Sequence, residues 1–165
     1  MDHQHEMLTT VNQLIKVSTE SKRNFYAAAE QMENRAIKLL LKAYAQERAR
    51  FVTELQQRTA QADPAASAGY PSGFFQRGWL DLKSALVVRR NRRHRLLLDE
   101  LQQIETNAVD AYAKAAATEL SAALRTIVDR QYERVRTVHN RIALLAKQLE
   151  RRIAVRLFNQ SEDVE

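Results

Sequence analysis

The sequence predicts an all-helical fold, a four-helix bundle with up-down-down-up connectivity. Three observations carry this reading. Apolar residues recur at helical spacing in four long segments. Only 3 Gly and 2 Pro occur in 165 residues, and all of them fall between Ala62 and Gly78. A sandwich or barrel needs many tight turns, and this chain lacks the residues to build them. The length suits one domain with one core, and the absence of cysteine excludes disulfides, thiolate metal sites and a cysteine nucleophile.

Leu8, Val11, Leu14, Ile15, Phe25, Ala29 and Met32 mark the first helix. Ala36, Leu40, Ala43, Tyr44, Phe51 and Leu55 mark the inward face of the second. Only Met32-Glu33-Asn34 separates them, with Asn34 placed to cap the second helix, so the two form an antiparallel hairpin. The Gly- and Pro-bearing stretch then ends helix two. Its Tyr70, Phe74, Phe75 and Trp79 suggest a crossover that lays aromatics along the bundle, with Trp79 to Leu82 as a short helix over one end. The third helix is expected from about Arg92 to Ala117, with Leu97, Leu98, Leu101, Ile104, Ala108, Tyr112 and Ala115 inward. The fourth starts near Leu120, with Ser121 as a cap, and carries Leu124, Val128, Val135, Ile142, Leu145 and Leu149. It continues through Ile153 and Leu157 to Phe158, roughly 58 Å at 1.5 Å per residue and longer than the other three. The expected division is a bundle over residues 1–146 and a C-terminal helical extension with an acidic tail over 147–165.

The net charge of +6 is uneven. Arg89, Arg90, Arg92, Arg93 and Arg95 crowd one short window around His94, and Arg151, Arg152 and Arg156 lie near the C-terminus. Such patches attract phosphates and anionic surfaces, so nucleic acid or an anionic surface is one candidate partner for the Arg89–Arg95 cluster. A solvated loop edge, His94 included, and a solvated helix face at the C-terminus are the simpler expectation, since no aromatic stacking platform accompanies the arginines. No apolar run approaches a membrane span, and the first seven residues lack the apolar core of a secretory signal. The expected location is therefore the cytoplasm. The extension sets Ile153, Ala154, Leu157 and Phe158 beside arginines, the pattern of a helix that packs on another copy, so a homo-oligomer, in the simplest case a dimer, is expected.

Polar residues in step with the apolar stripes are the candidate site, because burying them is costly unless they are paired or ligated. Lys22 holds such a position in helix one, Glu47 and Glu54 with Arg50 in helix two, Glu105 in helix three, and His139 with Gln131 in helix four. Together they form one polar layer at mid-bundle. A carboxylate-bridged di-metal bundle uses a Glu from each of two helices and Glu-x-x-His from each of the others. Here Lys22 stands where one Glu belongs, Arg50 where a His belongs, and Arg136 where the Glu before His139 belongs. The expectation is an ion-pair layer of Lys22, Glu47, Arg50 and Glu105 with no cofactor. The alternative is a weak iron or manganese site on Glu47, Glu105 and His139. No nucleophile elbow, phosphate-binding glycine loop or His-Glu-x-x-His pair occurs, so hydrolase chemistry has no support and no catalytic residue is assigned.

Phe25-Tyr26-Ala27-Ala28-Ala29-Glu30, Glu47 to Leu55, Arg77-Gly78-Trp79-Leu80-Asp81-Leu82-Lys83, Ala111-Tyr112 and Gln131-Tyr132 resemble a ferritin-like bacterial four-helix-bundle family. That family is of unknown function and is often associated with stress-response genes. The resemblance spans residues from about 8 to 146 and implies the ferritin-like form of the bundle. Lys22, the arginine window and the stretch from Lys147 to Glu165 depart from the family pattern. They make metal-dependent oxidase chemistry a poor expectation for this chain.

Overall fold

A computed structural model of the chain describes residues 2–62 and 90–162. Among them lie four helices and no strand: α1 (Asp2–Gln31), α2 (Arg35–Ala62), α3 (Arg90–Ala117) and α4 (Ala122–Glu162). The expected crossover with its aromatic residues, including the short helix at Trp79 to Leu82, falls outside the described residues.

The two short connections are closed by the residues expected to close them. Asn34 Oδ1 accepts the Ile37 backbone N–H at 3.1 Å and starts α2. Ser121 Oγ accepts the Leu124 N–H at 3.4 Å and starts α4. At the end of α3 the Arg125 guanidinium donates to the carbonyls of Ala116 and, at 2.6 Å, Thr118. Those carbonyls have no partner within the helix, and a cation there also complements the helix dipole.

Cross-helix pairs set the directions. Lys42 meets Glu30 at 3.0 Å, and the Phe25 and Tyr44 rings lie 5.6 Å apart, so α2 runs antiparallel to α1. Ser18 meets Tyr112 and Glu33 meets His94, so α3 also runs antiparallel to α1. Gln131 meets Tyr112 and Glu150 meets Arg95, so α4 opposes α3. Arg130 with Glu54 and Arg134 with Glu47 show that α4 opposes α2 as well. Helices α2 and α3 are therefore parallel, and the four closely packed pairs, α1 with α2, α1 with α3, α2 with α4 and α3 with α4, are antiparallel.

The core falls into two apolar clusters. Near the α1–α2 turn, Phe25, Met32, Leu41, Leu98 and Ile142 pack together. Toward the other end, Leu14, Leu55, Tyr112, Val128 and Val135 do so. On α2 Tyr44, Phe51 and Leu55 are buried as predicted, but the first half of the buried stripe lies one residue from the predicted one. Ile37, Leu41, Tyr44, Ala45, Phe51 and Leu55 are buried, while Ala36 and Ala43 are exposed and Leu40 lies at the flank. A run of Ile37, Leu39, Leu40 and Leu41 allows two overlapping stripes. The branched side chains win over alanines because they remove more apolar surface from water.

Helix α4 has 41 residues against 28 to 30 in the others. Ala146 is its last buried residue among those described. Leu149 packs against the core and Ile153 is half-buried, but Val155 and Leu157 are each 59% exposed. No helix among the described residues is long and apolar enough to cross a membrane.

Candidate functional site in the charged layer

A charged layer lies between the two apolar clusters, and its centre is Arg48. Arg48 points inward, in step with Leu41, Tyr44, Phe51 and Leu55, and Arg50 is exposed. Arg48 has no accessible surface. Its Nη2 donates to Glu105 Oε2 at 2.7 Å, and its Nη1 lies 3.8 Å from Glu47 Oε1. The guanidinium carbon sits 5.8 Å from the Phe25 ring centre and 5.3 Å from that of Phe51. Two aromatic faces thus replace part of the hydration that burial removes. Glu47, with its side chain only 15% exposed, receives Arg134 Nε at 3.1 Å and Nη2 at 2.9 Å. Glu105, Arg48, Glu47 and Arg134 therefore alternate in charge across α3, α2 and α4. A buried cation between two carboxylates is costly to form but more costly to break, because loss of one partner leaves a bare charge.

A second thread runs beside it. Tyr112 donates its only hydroxyl proton to Gln131 Oε1 at 2.8 Å, so the Ser18 hydroxyl, 3.0 Å away, must donate to Tyr112. Gln131 Nε2 passes the chain to Glu54 Oε2 at 2.8 Å, and Arg130 Nη2 meets the same oxygen at 2.7 Å. Burial pushes the Tyr112 hydroxyl well above the usual phenol range, outweighing the hydrogen bond from Ser18.

The sequence-predicted residues distribute unevenly over this site. Glu105, Glu47, Glu54 and Gln131 belong to it. Lys22 is half-buried and makes no ion pair among the described residues, and helix one turns Ser18 and Ser21 inward instead. Short hydroxyls can be buried within reach of a partner, whereas a lysine keeps its head in water. Arg50 gives its expected place to Arg48. His139 is half-buried; its Nε2 lies 3.2 Å from Thr106 Oγ1 and its Nδ1 3.5 Å from Asn140 Oδ1. Neither ring nitrogen has a carboxylate as its hydrogen-bond partner. Among the described residues no group of three His, Asp or Glu is gathered to hold a metal ion.

Two further corrections concern the arginine window. His94 is 7% exposed, not solvated, and its Nε2 accepts the Glu33 N–H at 3.3 Å, tying the α1–α2 turn to α3. Arg95 pairs with Asp99 and Glu150, each at 3.4 Å. Arg89 and the side chains of Arg90, Arg92 and Arg93 lie outside the described residues. Sequence reasoning missed Arg48 and His94, although both were within its reach. Arg48 lies in step with Leu41, Tyr44, Phe51 and Leu55, and His94 with Leu98, Leu101, Glu105 and Tyr112.

No curated protein matches the chain. One family model does, over residues 6–119, which takes in α1, α2 and α3 and stops before α4. The Arg48–Glu105 pair and Glu47 therefore lie within the matched region, and Arg134 on α4 lies beyond it. By that match, the chain belongs to the family described as domain of unknown function DUF2383.

Proposed function

We propose that this chain is a ferritin-like bundle that acts by association rather than by chemistry, with its former metal position held by a protein cation. The carrying observation is the buried Arg48 guanidinium, 2.7 Å from Glu105 and flanked by Glu47. A di-metal centre needs its carboxylates turned toward free ions. Here a covalently fixed charge neutralises them, and Phe25 and Phe51 close over it. The antiparallel packing of the four neighbouring helix pairs, with α2 parallel to α3, is the arrangement a ferritin-like bundle requires and supports that part of the reading. The associating element is the α4 overhang, which carries Val155 and Leu157 past the core among Arg151, Arg152 and Arg156. Its partner is a second copy of the chain, in the stress-response setting that the resemblance implies.

Metal analysis of tag-free protein tests the centre. Less than stoichiometric iron and manganese is the expected result, and stoichiometric metal lost in Glu105→Ala overturns it. Light scattering of a chain lacking residues 147–165 tests the overhang: the mass falls if α4 joins two copies, and an unchanged mass removes that role.

A further inference from the structure

The flank formed by α1 and α3 carries an arrangement of charge that nothing inside the molecule uses. A groove of about 590 Å³ runs between these helices. Its floor is small and apolar: Val17 and Ala115 are buried and Ala111 half-buried. Four charged side chains line its walls, Lys16 and Glu20 from α1 and Lys114 and Asp110 from α3. Because the helices are antiparallel, with Ser18 level with Tyr112, Lys16 stands beside Lys114 and Glu20 beside Asp110. One turn, about 5–6 Å, separates the basic pair from the acidic pair. None of the four makes an ion pair or hydrogen bond among the described residues. The opposite flank differs in that respect: between α2 and α4, Glu47 and Glu54 are paired with Arg134 and Arg130.

A surface with two cations on one turn and two anions on the next is complementary to itself. A two-fold axis across the groove, midway between the pairs, sets Lys16 and Lys114 of one copy against Glu20 and Asp110 of the other, and the reverse. This is the condition for an isologous contact, in which the same patch serves both partners. Small residues on the floor let the two faces approach closely, and like charges disfavour any other register. We propose that the α1–α3 groove is a two-fold interface between copies of this chain. This contact uses helices other than α4 and does not depend on the role given to the overhang.

Charge reversal tests it on the full-length, tag-free chain, by light scattering near 50 mM salt, where surface charges are weakly screened. Lys16→Glu with Lys114→Glu makes all four positions acidic, and Glu20→Lys with Asp110→Lys makes all four basic. Each double variant is expected at half the wild-type mass, with unchanged helical circular dichroism. Mixing the two in equal amounts restores the wild-type mass, because an all-acidic face meets an all-basic one; that recovery also shows that both variants are folded. A wild-type mass of one 19.0 kDa chain overturns the proposal. So does an unchanged mass in both variants; if deletion of residues 147–165 then lowers the mass, self-association belongs to α4 alone. Reduced mass without recovery on mixing also overturns it, since the charges would then act without the two-fold pairing.

Discussion

The middle of the bundle and its α1–α3 flank both mix basic and acidic residues, yet they treat them in opposite ways. Inside, Arg48 is held by Glu105, with Glu47 and Arg134 beyond it, and the four residues come from three helices. On the flank, Lys16, Glu20, Asp110 and Lys114 remain unpaired among the described residues. The difference is one of solvent. A charge without water must find a partner or unfold the site, whereas a charge in water needs none. The interior pattern is therefore a constraint on the fold, and the flank pattern is available to another molecule.

Breaking the interior pair should give the largest effect. Arg48→Ala leaves the buried Glu105 carboxylate without its cation and should cost about 3–5 kcal/mol, measured by urea unfolding. Arg48→Met combined with Glu105→Leu removes both charges and should regain most of that loss. If the single and double variants are equally unstable, the pair is not what makes the single change costly.

Tyr112→Phe should cost about 1–3 kcal/mol, because Gln131 Oε1 and the Ser18 hydroxyl lose their partner in a buried site. The same residue sets an alkaline limit. Its folded pKa lies above the unfolded value near 10. The native state therefore holds the phenol proton more tightly, and its contribution is complete below pH 10 and lost as pH rises beyond it. Absorbance at 295 nm should show Tyr112 ionising only together with unfolding, and Tyr112→Phe should flatten the alkaline fall in stability. Free titration of every tyrosine while the helices stay intact would contradict its burial.

Smaller changes sharpen the boundary between inside and outside. Asn34→Ala should cost about 1 kcal/mol by removing the α2 cap, read as a lower unfolding midpoint. Arg50→Ala should change stability by less than about 0.5 kcal/mol, as expected for an exposed site. Because Arg48 and Arg50 are two residues apart, the contrast between their variants reads the rotation of α2 directly. A large loss at Arg50 would mean that α2 presents its other stripe.

Much of the fold is legible without coordinates. The four helical stretches follow from apolar spacing, and the starts of α2 and α4 follow from Asn34 and Ser121, because capping depends on residues three positions away. Glu105 and Gln131 are also legible, since each lies in step with an unambiguous stripe. Helix α2 is harder. Its crowded apolar residues fit two faces one residue apart, and the choice moves an arginine across the whole helix surface. Lys22 fails for a related reason: a place on the stripe does not decide whether a side chain stays inside or reaches for water.

The sequence by itself determined that this protein is helical, where α2 and α4 begin, and that a polar layer interrupts its apolar faces. Those properties depend on residues within one or two turns of each other. Only the tertiary structure decided which arginine lies in that layer, that His139 turns to Thr106, and that two lysines stand level with each other on α1 and α3. Each of these depends on how helices rotate against their neighbours, and that rotation is chosen by the total surface buried and by the pairing of every charge that is buried with it.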